Sequence, residues 1–121
     1  MTTQASPPPS WPGLGVEWLA AAALDRAGFQ LGDDYDYQTG PRPALGGIIV
    51  DFLFKNPSGL GISVASTQHN ISQRTRNLFA KKQLQGMGIR IVFIQEFDLR
   101  RDADFYVKEA LAGRDHSTLG R

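Results

Sequence analysis

Residues Gly46–Phe54 (GGIIVDFLF) are apolar on both faces, β-branched at the start and short. Such a stretch reads as a central strand, spanning 47–54, covered on both sides. One carboxylate, Asp51, interrupts it. An ionised carboxylate in an apolar strand is costly unless a donor, a cation or a metal compensates it. Asp51 is therefore the residue from which a functional reading starts.

The rest of the chain is arranged around that strand. Residues 1–12 are rich in Ser, Thr, Gln and Pro, with Pro7–Pro9 in a row, and read as an extended arm. Trp11 is the one large apolar group in it, placed either to pack locally or to anchor the arm to a partner. From Gly13 to Gly28, Val16, Leu19, Ala20, Ala23, Leu24 and Ala27 recur at three- and four-residue spacing, which predicts a helix stopped by Gly28. Glu17 falls in its first turn, where the helix dipole favours a negative charge.

Residues 29–39 alternate around Tyr35 and Tyr37 and predict a strand, followed by a loop at Gly40–Pro43 (GPRP). After the 47–54 strand, Asn56–Gly59 (NPSG) is a turn signal and residues 60–66 alternate as a second arm of a hairpin. Asn70 or Ser72 caps a helix running to about Gln85, with Ile71, Leu78, Phe79 and Leu84 as its sparse apolar positions and Gly86 and Gly88 as its end. Ile89–Gln95 (IRIVFIQ) reads as a buried strand. Asp102 or Asp104 then caps a last helix through Ala112, with Phe105, Val107, Ala110 and Leu111 inward and Gly113 as the stop. Residues 114–121 read as a loose tail. The expected order is α-β-β-β-α-β-α: an α/β fold in which a three-stranded meander is joined by a right-handed helical crossover to a parallel fourth strand, giving a mixed sheet flanked by helices.

With 121 residues, 41% hydrophobic and 21% charged, the chain suits one globular domain over 13–113. No apolar run reaches about 18 residues, so no transmembrane helix is expected. The N-terminus lacks a basic region followed by an apolar core, so no signal peptide is expected. The absence of cysteine excludes disulfides and zinc-thiolate sites and fits an intracellular protein. The net charge of +1 hides an asymmetry. Residues 1–51 carry Arg26 and Arg42 against Glu17, Asp25, Asp33, Asp34, Asp36 and Asp51, whereas residues 71–101 carry Arg74, Arg76, Lys81, Lys82, Arg90, Arg100 and Arg101 against Glu96 and Asp98. The basic segment is either a solvated helix face or a surface for an anionic partner.

The element order, with an Asp in the second strand, resembles the core of the PD-(D/E)XK nuclease superfamily, the restriction-endonuclease-like fold, and within it the very-short-patch-repair-endonuclease-like branch. The stretches that carry the resemblance are Val16–Leu19 (VEWL), Tyr37-Gln38, Gly47–Phe52 (GIIVDF), Gly61–Val64 (GISV) and Leu84–Ile94 (LQGMGIRIVFI). Tyr106–Gly113 (YVKEALAG) and Asp115–Ser117 (DHS) look like small phage-associated or environmental members. The resemblance spans roughly residues 14–117.

It implies a metal site for Mg²⁺, with Asp51 as the metal aspartate and Glu17 as the helix carboxylate. The Glu-x-Lys position of the superfamily falls on Ser63-Val64-Ala65, which offers neither carboxylate nor amine. The very-short-patch branch uses a His after this strand instead, and Gln68–Asn70 (QHN) places His69 one position early as the implied base. Arg74, Arg76, Lys81 and Lys82 are the implied phosphate contacts. Glu96 and Asp98, just past the last strand, either approach the site or are solvated loop acids; His116 reads as a surface histidine, and Gly46-Gly47 is too short for a phosphate loop.

Three readings follow. In the first, a nuclease-fold chain with a degenerate metal site serves as a nucleic-acid-binding or structural module, in the cytoplasm or in a phage virion, docking a neighbouring subunit or a second copy through its N-terminal arm. In the second, it is an active Mg²⁺-dependent DNA endonuclease that uses Asp51, Glu17 and His69. In the third, it is an interaction domain in which a neighbouring Arg neutralises Asp51 and no nucleic acid is involved.

Overall fold

The computed structural model describes residues 16–37, 48–65 and 71–117, with the side chains of 71–73 excepted. The expected arm with Trp11, the Gly40–Pro43 loop, Gly46-Gly47, His69 and residues 118–121 lie outside the described residues. Seven elements appear in the expected order: α1 (Glu17–Arg26), β1 (Tyr35–Tyr37), β2 (Phe52–Lys55), β3 (Ser58–Ala65), α2 (Ile71–Gly86), β4 (Arg90–Gln95) and α3 (Glu96–Leu111). The four strands form one sheet in the order β1-β2-β3-β4. The first three pair antiparallel, and β4 runs parallel to β3 after the α2 crossover. The expected mixed α/β sheet is therefore present.

Alternation along β3 and β4 divides the sheet into two faces. Phe52, Phe54, Leu60, Ile62, Val92 and Ile94 meet Ala20, Ala23 and Leu24 of α1 and Leu99, Val107 and Ala110 of α3. Val50, Ala65, Ile91 and Phe93 form a smaller cluster on the other face with Leu84 of α2. The layers are thus α1 and α3, then the sheet, then α2. Both helices of the first layer present alanines, which lets them lie close to the strands and to each other. Where α1 stops, Gly28 takes φ of 95° and the Phe29 N–H reaches back to the Leu24 carbonyl at 2.9 Å. That left-handed closure is open to glycine at little strain.

Four expectations need correction. The strand expected over 47–54 begins only at Phe52, because residues 48–50 leave the ladder and Asp51 sits at a bend. Val50 instead crosses over Gly61, where a Cβ would lie 2.9 Å from the Val50 Cγ1. The strand that follows Asp51 is nevertheless an inner one, as expected: β2 is paired on both sides, with β1 and with β3. The strand expected over 29–39 is reduced to Tyr35–Tyr37. The Asp34 carboxylate accepts the Gln30 N–H at 2.7 Å and holds a polar turn where pairing would otherwise continue.

The sparse apolar side chains of α2 divide between core and solvent. Leu84 is fully buried, whereas Leu78 and Phe79 are exposed. The last helix does begin after Asp102, but an unexpected helical segment, from Glu96 on, precedes it and is joined to it across a kink at Asp102. Glu96 and Asp98 are consequently first-turn helix acids rather than loop acids, paired with Arg100 at 3.2 Å and Arg101 at 2.9 Å. Asp102 still acts as a cap: it is non-helical inside α3, and its carboxylate accepts the Phe105 N–H at 3.2 Å. The added first half brings Leu99 into the core, and Phe105, expected inward, is exposed.

Candidate functional site

Extending the β2–β3 register by one step places Asp51 opposite Ser63. The ladder is replaced there by a side-chain clasp. The Asp51 N–H donates to the Ser63 hydroxyl at 3.1 Å, and the Val64 N–H donates to Asp51 Oδ2 at 2.8 Å. Ser63 is thus engaged as an acceptor that closes the sheet where β2 frays. Ala65 is buried and contributes no polar group.

Asp51 is half-buried. Burial pushes its carboxyl up to about 6, the Val64 N–H works in the opposite direction, and the charge of Glu17 adds to the rise. Glu17, the first residue of α1, is itself raised by burial and by the charge of Glu96, the first residue of α3. Its Oε1 is buried and accepts no hydrogen bond. Tyr37 is pushed up to about 12 by burial and by the charges of Glu17 and Asp51. The structure therefore brings Glu17, Asp51, Tyr37 and Glu96 into one electrostatic neighbourhood.

Its location follows from the register. Ser63 lies beside Phe93, and Ala65 beside Gln95, which is followed directly by Glu96. Asp51, the end of β3 and the end of β4 thus share one edge of the sheet, the carboxyl edge of its parallel pair. In open α/β sheets that edge is where ligands bind.

Asp51 also opens onto a groove of about 620 Å³ on the α2 face. Ile48, Ile49, Ser63, Phe93 and the α2 residues Thr75, Arg76, Asn77 and Phe79 line it. Arg76 and Asp51 therefore face the same space, and among the described residues no cation is in ion-pair contact with Asp51. The other expected phosphate contacts are spread around the helix. At about 100° per residue, Arg74 and Lys81 share one flank and Arg76 lies about 160° away from Arg74. Lys81 stands 4.0 Å from Asp115, and Lys82 lines a separate groove with Leu78 and Phe79.

Mg²⁺ keeps several waters and needs only one or two protein carboxylates, and Asp51 and Glu17, the latter with one buried unpartnered oxygen, are donors of that chemical kind. Among the described residues, no group of three or more His, Asp or Glu is placed to hold a metal. No helix is long and apolar enough to cross a membrane among the described residues. Sequence reasoning singled out Asp51, Glu17 and Arg76 and offered approach to the site as one reading of Glu96, but gave no place there to Tyr37, Ile49 and Phe79. One signal was available: from Phe52 to Gln95 there are 44 residues with six basic side chains and no carboxylate. Compared with protein families, curated proteins and solved structures, the chain matches none.

Proposed function

We propose that this chain is a nucleic-acid-binding module built on a restriction-endonuclease-like core, with Asp51 and Glu17 as what is left of a metal site. The observation that carries the reading is that Asp51 and Arg76 line one groove at the carboxyl edge of the sheet, inside a stretch of chain otherwise free of acids. Arg76 supplies a phosphate contact there, and Lys82 adds positive potential in the neighbouring groove for a polyanion. The antiparallel meander, the α2 crossover and the Asp51–Ser63 pairing support the resemblance to the superfamily. The engagement of Ser63 with the Asp51 backbone, and the lack of a polar group at Ala65, support a binding role over catalysis.

A second reading is favoured by the buried, unpartnered Glu17 Oε1, whose carboxylate acts electrostatically on Asp51. Here Glu17 and Asp51 would hold Mg²⁺, which would supply charge stabilisation to a phosphodiester. His69 is the residue proposed as base in that reading.

Both readings are tested with the purified protein. The binding module is expected to retain labelled DNA with an affinity that falls steeply with salt, and to leave supercoiled plasmid intact in Mg²⁺ or Mn²⁺. Nicking that disappears in Asp51→Ala selects the endonuclease. Neither nicking nor binding rejects both and selects an interaction domain.

A further inference from the structure

Phe79 is 61% exposed, although the opposite side of the same helix buries Leu84 completely. On α2 it follows Arg76 by three residues and precedes Lys82 by three, so the three side chains rise along an outward-facing stripe about 4.5 Å apart in axial height. Phe79 and Thr75 line both neighbouring grooves: the one that holds Asp51 and Arg76, and one of about 500 Å³ that holds Leu78, Lys81 and Lys82. The ring is thus a ridge between two grooves, with a cation on each side of it. Ile49, itself 53% exposed, stands on the wall of the first groove.

We infer that Phe79 is a stacking platform for an unpaired base of single-stranded nucleic acid, with Arg76 and Lys82 contacting the phosphates on either side. This rests on the nucleic-acid reading above and narrows its ligand. An aromatic face accepts any base by stacking, and flanking cations track the backbone, which is the combination single-strand binders use. Bases inside a duplex are already stacked on each other, so an exposed ring on a helix ridge adds little to duplex binding. The run from Phe52 to Gln95 without a carboxylate supplies the charge complementarity that an apolar partner surface would not need.

Fluorescence anisotropy with a labelled oligothymidylate and a duplex of equal length tests this. Phe79→Ala is expected to weaken single-strand binding about tenfold while changing duplex binding less than about twofold, in line with the usual loss per stacked base. Phe79→Trp retains the affinity and shows fluorescence quenching on binding. Arg76→Ala weakens both ligands and flattens the salt dependence. Equal loss for both ligands in Phe79→Ala, or no loss for either, overturns the stacking inference and leaves the nucleic-acid reading standing. No binding of either oligonucleotide by the wild-type protein overturns both. A dimer that becomes a monomer in Phe79→Ala, with oligonucleotide affinity unchanged, assigns the ridge to a second copy and overturns the inference.

Discussion

The Asp51 N–H donates to the Ser63 hydroxyl at 3.1 Å, while the Asp51 carboxylate takes the N–H of the next residue, Val64, at 2.8 Å. Two side chains thereby replace backbone pairing at the point where β2 leaves the ladder. The clasp satisfies backbone donors that would otherwise be stranded, and it fixes a carboxylate at the mouth of the groove. Each bond forestalls a penalty of about 1–3 kcal/mol for an unsatisfied buried group.

Removing the hydroxyl tests the clasp. Ser63→Ala leaves the Asp51 N–H without its acceptor and is expected to lower stability by about 1–2 kcal/mol. Urea unfolding measures it, and an unchanged midpoint would show that water takes the place of the hydroxyl.

The Asp51 carboxyl stands at about 6 in the folded protein against an ordinary 3.8. The folded state therefore binds more protons than the unfolded chain between these values, so stability falls as pH rises from about 4 to about 6 and stays at the lower level above. The difference amounts to at most about 3 kcal/mol. Asp51→Asn keeps an acceptor for Val64 and removes the charge, so it is expected to stabilise the fold by about 1–3 kcal/mol near pH 8 and by little near pH 4. Equal effects at both pH values would contradict the assignment.

Asp115 ties the chain after α3 to the edge of the sheet. Its Oδ2 accepts the Phe93 N–H at 3.0 Å and its Oδ1 accepts the Ser117 N–H at 2.8 Å. Asp115→Ala is expected to destabilise by about 1–3 kcal/mol, with faster amide exchange at Phe93 than at its neighbour Val92, whose N–H faces β3. Uniform acceleration along β4 would point to global loss instead.

Asp102 divides α3 and caps its second half. Asp102→Ala is expected to cost about 1 kcal/mol, the usual value of an N-cap, and Asp102→Asn to restore most of it. Thermal unfolding of the pair distinguishes a cap from a charge effect.

The site shows the limits of periodicity. In sequence, Glu17 appears as a first-turn helix acid with the dipole as sufficient explanation, and Glu96 as an acid just past the last strand. The influence of Glu96 on Glu17 arises because α1 and α3 lie side by side on one face of the sheet, and Glu17 in turn acts on Asp51. In α2, Leu78, Phe79 and Leu84 look equivalent as apolar residues, yet only Leu84 finds the sheet. One helix covering that face leaves Phe79 in water.

The order and type of the elements, the two-faced alternation of β3 and β4 and the glycine stops were all determined by local sequence, because they depend on spacing within a segment. The tertiary structure decided that Asp51 stands at a bend opposite Ser63, that Arg76 shares its groove, and that Phe79 forms a ridge. Those relations depend on strand register and on which side of a helix meets the sheet. Both are set by contacts between segments far apart in the chain, and a pattern of apolar residues records only that a side is apolar, not what covers it.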